Sequence, residues 1–112
     1  MRINFNDVKD FPRDRKTMVK YEDKGIWFGE YRDGKLVGIT NLHNKKIKSV
    51  YVLPEYRNQG IAYKLINEAS QGVEGCHTLA LDTSKNVFEK CGFKVIKKHE
   101  YKLGNVYTMV KE

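Results

Sequence analysis

The sequence lacks the features of membrane-inserted, secreted or disordered proteins. No apolar run approaches the roughly 18 residues that a membrane-spanning helix needs, and the N-terminal MRIN has no signal-peptide core. It has no long proline-, serine- or glycine-rich tract, which argues against a disordered tail. We therefore expect a folded cytoplasmic protein that does not engage a membrane.

Cysteine is scarce, and Cys76 and Cys91 have neither disulfide-framework nor metal-ligand spacing. His77 and His99 are isolated, so no cluster of histidine, cysteine and aspartate suggests a metal site. We expect free thiols in a reducing compartment and no bound metal.

The charge of the chain is basic but evenly spread. Its 112 residues suffice for one small core, so we predict a single domain over residues 1–112. The net charge of +7 divides into +4 for residues 1–56 (12 basic, 8 acidic) and +3 for residues 57–112 (9 basic, 6 acidic). An even spread argues against a dedicated nucleic-acid arm, and a basic groove would suit a polyanionic cofactor. Nucleic-acid binding stays open on charge alone but is not favoured.

A strand, a tight turn and a helix follow one another between residues 50 and 69. Pro54 ends the apolar strand, and the polar turn 55–60 leads into a helix whose apolar residues recur at helical spacing. This arrangement aims unpaired backbone N–H groups at an anion, because the first helical turn has no internal acceptors for them. Gly60 leaves room for a phosphate, and Arg57 adds a positive charge. The stretch is predicted to cradle a phosphate.

The flanking sequence predicts a mixed fold. Before the turn, short helical pieces interrupted by Pro12 precede a three-stranded meander, with Asp33-Gly34 as its first hairpin turn. After it, Thr83 or Ser84 is expected to cap a helix ending near Cys91. The predicted strands cover residues 2–5, 26–31, 35–42, 47–53, 78–82, 93–99 and 106–110, and a further helix is predicted over 14–22. The strand at 78–82 should run parallel to that at 47–53, with the last two strands joined around Gly104-Asn105.

Three motifs resemble the GNAT superfamily of N-acetyltransferases. The run RNQGIA at 57–62 fits that family's R/Q-x-x-G-x-G/A motif, and VYVLPEY at 50–56 looks like the strand that leads into it. The run FEKCGF at 88–93 is similar to its Y-E-K-x-G-F signature. The motifs occur in family order over roughly residues 47–98.

The resemblance implies an α+β fold whose central, mostly antiparallel twisted sheet has a parallel strand pair at the cofactor site and flanking helices. It also implies that acetyl-coenzyme A is the cofactor. The backbone amides of the loop would hold the pyrophosphate, with Arg57 supporting the turn, and the pantetheine would lie along the preceding strand. The residues implied are Val50, Tyr51 and Val52 for the pantetheine, and Asn58, Gln59, Gly60, Ile61, Ala62 and Tyr63 for the pyrophosphate.

The chain departs from the resembled family at its catalytic acid. Phe88 stands where the family commonly has a tyrosine that protonates the leaving thiolate, and phenylalanine cannot donate a proton. No general base is identified by spacing; Glu30, His43 and Tyr51 are candidates. We predict transfer of an acetyl group to a primary amine on a small molecule or protein. The alternatives are a non-catalytic coenzyme-A-binding module and a basic nucleic-acid-binding protein.

Overall fold

The computed structural model describes residues 1–13 and 20–112. The chain begins with a short strand, β1 (Arg2–Ile3), and one helical turn, α1 (Phe5–Val8). The strand predicted over residues 2–5 is too long, because it ends at Ile3 and Phe5 belongs to α1. Asn4 has an extended backbone (φ −88°, ψ 152°) and is the N-cap of that helix. Most of the helix predicted over 14–22 lies outside the described residues, and the described part, 20–22, is not helical.

The predicted meander is confirmed. It consists of β2 (Ile26–Arg32), β3 (Lys35–His43) and β4 (Lys46–Val52), which pair antiparallel in chain order. Asp33 (φ 52°) and Gly34 (φ 78°) form the first hairpin turn with the two positive φ angles that its sequence predicts.

The helix that follows the predicted phosphate-binding turn (residues 55–60, called the phosphate loop below) lies across the meander. A 3₁₀ turn (Pro54–Tyr56) precedes α2 (Ile61–Ser70), whose stripe of Ile61, Leu65, Ile66 and Ala69 is buried. Gly38 of β3 permits this contact: a Cβ there would lie 2.9 Å from Ile61 Cγ2 and 3.2 Å from Leu65 Cδ1. The helix therefore packs close against the sheet at the point where β4 ends.

The C-terminal elements complete the sheet. They are β5 (His77–Leu81), α3 (Lys85–Lys90), β6 (Phe93–Tyr101) and β7 (Gly104–Lys111). Lys102 and Leu103 form the last turn, so the prediction of a turn around Gly104-Asn105 is wrong; those two residues begin β7 and pair with β6.

The described residues form a seven-stranded sheet in the order β1-β2-β3-β4-β5-β7-β6. Within this part of the chain, β4 and β5 are the parallel pair and the other neighbours are antiparallel. The predicted fold class and the predicted parallel pair are confirmed. No helix of residues 1–13 and 20–112 has the length and apolar character needed to span a membrane.

Side chains alternate between the two faces of the sheet. Gly38 and its partner Val52 face α2, so the neighbouring pair Ile39 and Tyr51 points to the opposite face. There the ring of Tyr51 meets Phe11, with centroids 6.1 Å apart and an interplanar angle of 83°. The residues after α1 thus cover the face that α2 leaves open.

Candidate active site

A cleft opens between β4 and β5. Their parallel ladder pairs only Lys46 with His77 and Ile47 with Thr78, and beyond these pairs the strands separate. The space between the separated strands is a cavity of about 340 Å³. Lining side chains come from both strands, from α3 and from the segment after α1: Arg13, Tyr21, Lys46, Ile47, Lys48, Ser49, Val50, Tyr51, Thr78, Leu79, Leu81, Ser84 and Phe88.

A β-bulge in β4 accompanies the separation. Between the paired positions Ile39–Tyr51 and Asn41–Lys48, β4 has one more residue than β3. Ser49 absorbs the extra residue with a left-handed φ of 56°. A bulge bends the strand that contains it, so β4 turns away from β5 beyond Ser49 and the main chain of the bend borders the cleft.

The phosphate loop has the geometry of an anion site. Asn58 (φ 64°) and Gly60 (φ 78°) are left-handed, and Lys64 donates its amide to the Gly60 carbonyl at 3.0 Å. The amides before Lys64, from 58 to 63, therefore precede the first complete helical turn and have no intrahelical acceptor. A Cβ built on Gly60 meets no atom within 4 Å, so the space in front of the loop is open. Open space and unpaired amides fit a diphosphate.

Arg57 ties the phosphate loop to the end of β4. Its Nε donates to the carbonyl of Val52 at 2.9 Å, and its guanidinium lies 5.3 Å from the centroid of the Tyr51 ring. These contacts keep the guanidinium near the loop. The side chain is exposed, so its charge is also accessible to solvent. Arg57 therefore has a turn-supporting contact in the structure as well as its predicted charge.

The predicted pantetheine strand divides between the cleft and the core. Val50 and Tyr51 line the cleft, whereas Val52 is buried on the α2 face. Only the main chain of Val52 is therefore suited to contact a ligand in the cleft.

Phe88 lies on the cleft wall. The side chain is 2% exposed and packs edge-on against Phe93, with centroids 5.2 Å apart. The position at which the resembled family has a tyrosine thus lies beside the opening, but its side chain has no proton to donate.

The three predicted bases are not brought together. Tyr51 lines the cleft, whereas the carboxylate of Glu30 bonds Lys64 of α2 at 3.1 Å and Arg32 at 3.3 Å. Burial raises the pKa of Glu30, but the hydrogen bonds and charges of Lys64 and Arg32 outweigh it and lower the pKa overall. A carboxylate held this way is a weak base. His43 pairs with the cleft-lining residue Lys46 at the turn but does not itself line the cleft.

A polar cluster at the end of β5 was not predicted. Asp82 accepts hydrogen bonds from the hydroxyl of Tyr107 (2.7 Å) and the amide of Asn105 (3.1 Å). The Tyr107 bond is the main cause that lowers the pKa of Asp82, and the same bond raises the pKa of Tyr107. The cluster fixes the end of β5 to β7 beside the cleft. Asp82 lies 23 residues before Asn105 and 25 before Tyr107 in the chain, so no local pattern indicates the cluster.

A family model agrees with this geometry. The model described as the acetyltransferase (GNAT) domain matches residues 22–95, which include β2 to β5, the phosphate loop, α3 and the start of β6. The chain belongs to this family. A comparison with curated protein sequences finds no match.

Solved structures share the fold. An N-acetyltransferase candidate from Lactobacillus plantarum is 18% identical, with a TM-score of 0.67 over 96% of this chain and 82% of that one. A streptothricin acetyltransferase candidate from Bacillus anthracis, in complex with acetyl-coenzyme A, is 20% identical, with a TM-score of 0.64 over 81% and 63%. The PaiA N-acetyltransferase from Thermoplasma acidophilum, in complex with coenzyme A, is 23% identical, with a TM-score of 0.58 over 77% and 59%.

Proposed function

We propose that the protein transfers an acetyl group from acetyl-coenzyme A to a primary amine. The observation that carries the proposal is the opening between β4 and β5, which is lined by Val50 and Tyr51 on one side and by Phe88 on the other. In this proposal the amides of residues 58–63 bind the pyrophosphate, and the main chain of residues 50–52 holds the pantetheine. Family membership and the coenzyme complexes of two structural neighbours support this assignment.

Positioning can supply much of the rate. Well-oriented reactants gain roughly 7–11 kcal/mol over the same groups free in solution. The bulged main chain of β4 at Ser49 and Val50 is where a backbone N–H could stabilise negative charge on the acyl oxygen. The coenzyme supplies the thioester, and the protein is required mainly to hold it against this strand.

Loss of the family's tyrosine limits the rate without preventing the reaction. The leaving thiol has a pKa of about 8.5, which is about 1.5 units above pH 7. Departure as an unprotonated thiolate therefore costs roughly 2 kcal/mol when no acid protonates it. Water entering the open cleft can provide this proton. Tyr51 is the predicted base candidate that lines the cleft, and we propose that it or a water bound to it takes the proton from the amine.

Two measurements test the function. Calorimetry with acetyl-coenzyme A is expected to show binding at one site, and a thiol-release assay with mixed primary amines is expected to show turnover. Absence of acetyl-coenzyme A binding by the folded protein would contradict the proposal. We also propose that residues 1–112 act as one domain in the cytoplasm.

A non-catalytic coenzyme-A-binding module is the second candidate. Phe88 favours it, because the cleft wall has no proton donor at that position. Acetyl-coenzyme A binding without thiol release from any amine would identify the protein as such a module.

A further inference from the structure

Three basic residues line the cleft. Lys46 and Lys48 lie on β4, and Arg13 comes from the segment after α1. Among the described residues, no carboxylate lines the cleft and none pairs with these three side chains. We call Arg13, Lys46 and Lys48 the cationic wall.

The cationic wall is not a device for protecting a sheet edge. Lysines in a run such as KKIK usually discourage edge-to-edge pairing of exposed strands, and the sequence alone favours that interpretation. In the structure, however, β4 is the fourth of seven strands; it pairs with β3 on one side and, at Lys46 and Ile47, with β5 on the other. Lys46 and Lys48 share a face because alternate residues of a strand point the same way. Two charges on one face of a central strand need another explanation.

Lys46 and Lys48 are also remote from the phosphate loop. The strand rises about 3.3 Å per residue, so Lys48 lies roughly 13 Å from Val52, and Lys46 farther still. The bulge at Ser49 stands between the lysines and the loop. If the coenzyme binds with its pyrophosphate at the loop, the part of the cleft beside the two lysines is left for the acceptor.

Two exposed leucines line the cleft across from β4, beside the polar residues Thr78 and Ser84. Leu79 and Leu81 line the cleft from β5 and are 52% and 45% exposed. Their methyl groups can contact a short aliphatic chain, while the cations across the cleft can contact an anionic group on that chain. A ligand that fits both walls has an acidic end and an apolar spacer.

We propose that the acceptor is a small primary amine that carries a carboxylate or a phosphate on a short aliphatic chain, with the acidic group bound by the cationic wall. This inference rests on the proposed acetyl transfer. In the reaction the amine nitrogen forms the amide C–N bond and the thioester C–S bond breaks. The amine loses one proton, and the departing thiolate takes up one.

Charge explains why other amines are poorer acceptors. A diamine brings a second positive charge towards three cations with no carboxylate among the described lining residues, which disfavours its binding. An amino alcohol has an uncharged hydroxyl in place of the acidic group, so it lacks the attraction but brings no second positive charge. The expected order of kcat/KM is therefore 2-aminoethyl phosphate and β-alanine first, ethanolamine second and 1,4-diaminobutane last.

The test compares these four amines in the thiol-release assay with wild type and two variants. In the wild type the acidic amines should exceed ethanolamine in kcat/KM by about tenfold, which is the scale of several partly solvated ion pairs. The double variant Lys46→Gln/Lys48→Gln should lose this preference through KM, so that kcat/KM becomes similar for the acidic amines and ethanolamine. Lys45→Gln removes one lysine charge from an exposed turn position outside the cleft lining, and it should retain the preference.

Calorimetry separates failure of this inference from failure of the proposed function. Titration of 2-aminoethyl phosphate or β-alanine into the coenzyme-A-loaded protein is expected to show binding that the double variant loses. If coenzyme A binds but neither acidic amine does, or if wild type prefers neutral or dicationic amines, the acceptor assignment is overturned whether or not the protein turns over. If acetyl-coenzyme A itself does not bind, the proposed function is overturned.

Discussion

The two ends of β4 expose different chemistry. Near the C-terminal end, the proposed anion site consists of the unpaired amides of residues 58–63, with open space at Gly60. At the N-terminal end, Lys46 and Lys48 carry charged side chains, and Arg13 joins them in the cleft lining from a separate part of the chain. A site built from backbone leaves a local sequence motif, because it requires glycine and a helix start. A site built from side chains leaves none, because the fold assembles it.

The largest expected effect concerns the backbone site. Gly60→Val should weaken acetyl-coenzyme A binding about a hundredfold, or roughly 3 kcal/mol, because the side chain fills the open space and disturbs two charge-assisted hydrogen bonds. Gly34→Val is the matched control, since Gly34 has the same φ of 78° and the same open surroundings. Both variants should lose similar stability in thermal melts, and only Gly60→Val should lose affinity. Equal acetyl-coenzyme A affinity in the two folded variants would contradict the assignment of the pyrophosphate to this loop.

The next effect concerns the cleft wall at Phe88. Phe88→Tyr should raise turnover by at most about thirtyfold, the equivalent of the roughly 2 kcal/mol of unassisted thiolate departure. Phe93→Tyr adds a hydroxyl to the ring that packs against Phe88 but does not line the cleft. It should cost roughly 1–3 kcal/mol of stability without any gain in rate. If Phe88→Tyr behaves like this control, residue 88 does not face the reacting sulfur.

The variant Glu30→Gln tests whether Glu30 acts as the catalytic base or only as the anionic partner in a structural ion pair. Its pKa is lowered in the fold, so it stabilises the protein above the ordinary carboxyl pKa, and this contribution disappears as the pH falls through the lowered value. Glu30→Gln should cost about 1 kcal/mol, or roughly 4–8 °C in Tm, at neutral pH and little in acid. Glu74→Gln, at an exposed turn position, should change Tm little at either pH. A large fall in kcat with unchanged Tm would restore Glu30 as the base.

Arg57 should produce the smallest effect. Arg57→Ala is expected to reduce acetyl-coenzyme A affinity about fivefold, or roughly 1 kcal/mol, because an exposed charge contributes less than a set of aimed amides. Arg57→Lys keeps the charge but loses the Nε bond to Val52. Affinity of Arg57→Lys close to wild type would assign the effect to charge, and affinity close to Arg57→Ala would assign it to the tether. A loss as large as that of Gly60→Val would contradict the proposed ranking of backbone over side chain.

The same contrast explains how much of the molecule could be predicted. The Asp33-Gly34 turn and the apolar stripe of α2 are local patterns, and the structure contains both. The bulge at Ser49 has no sequence signal, because serine at a left-handed φ is set by the pairing of β4 with β3. Glycine and asparagine favour turns more strongly than lysine and leucine, so the sequence predicts the last turn at Gly104-Asn105 and not at Lys102-Leu103. In the structure Gly104 and Asn105 pair with β6 and are therefore part of β7.

Amide shifts on addition of acetyl-coenzyme A test the central claim most directly. In ¹H–¹⁵N spectra of the wild-type protein, we expect the largest changes at residues 58–63, with a second set at 50–52 along β4. Titration with 2-aminoethyl phosphate in the presence of coenzyme A should then shift Lys46 and Lys48 and leave 58–63 in place. Cofactor-induced changes concentrated away from both the loop and β4 would contradict the account.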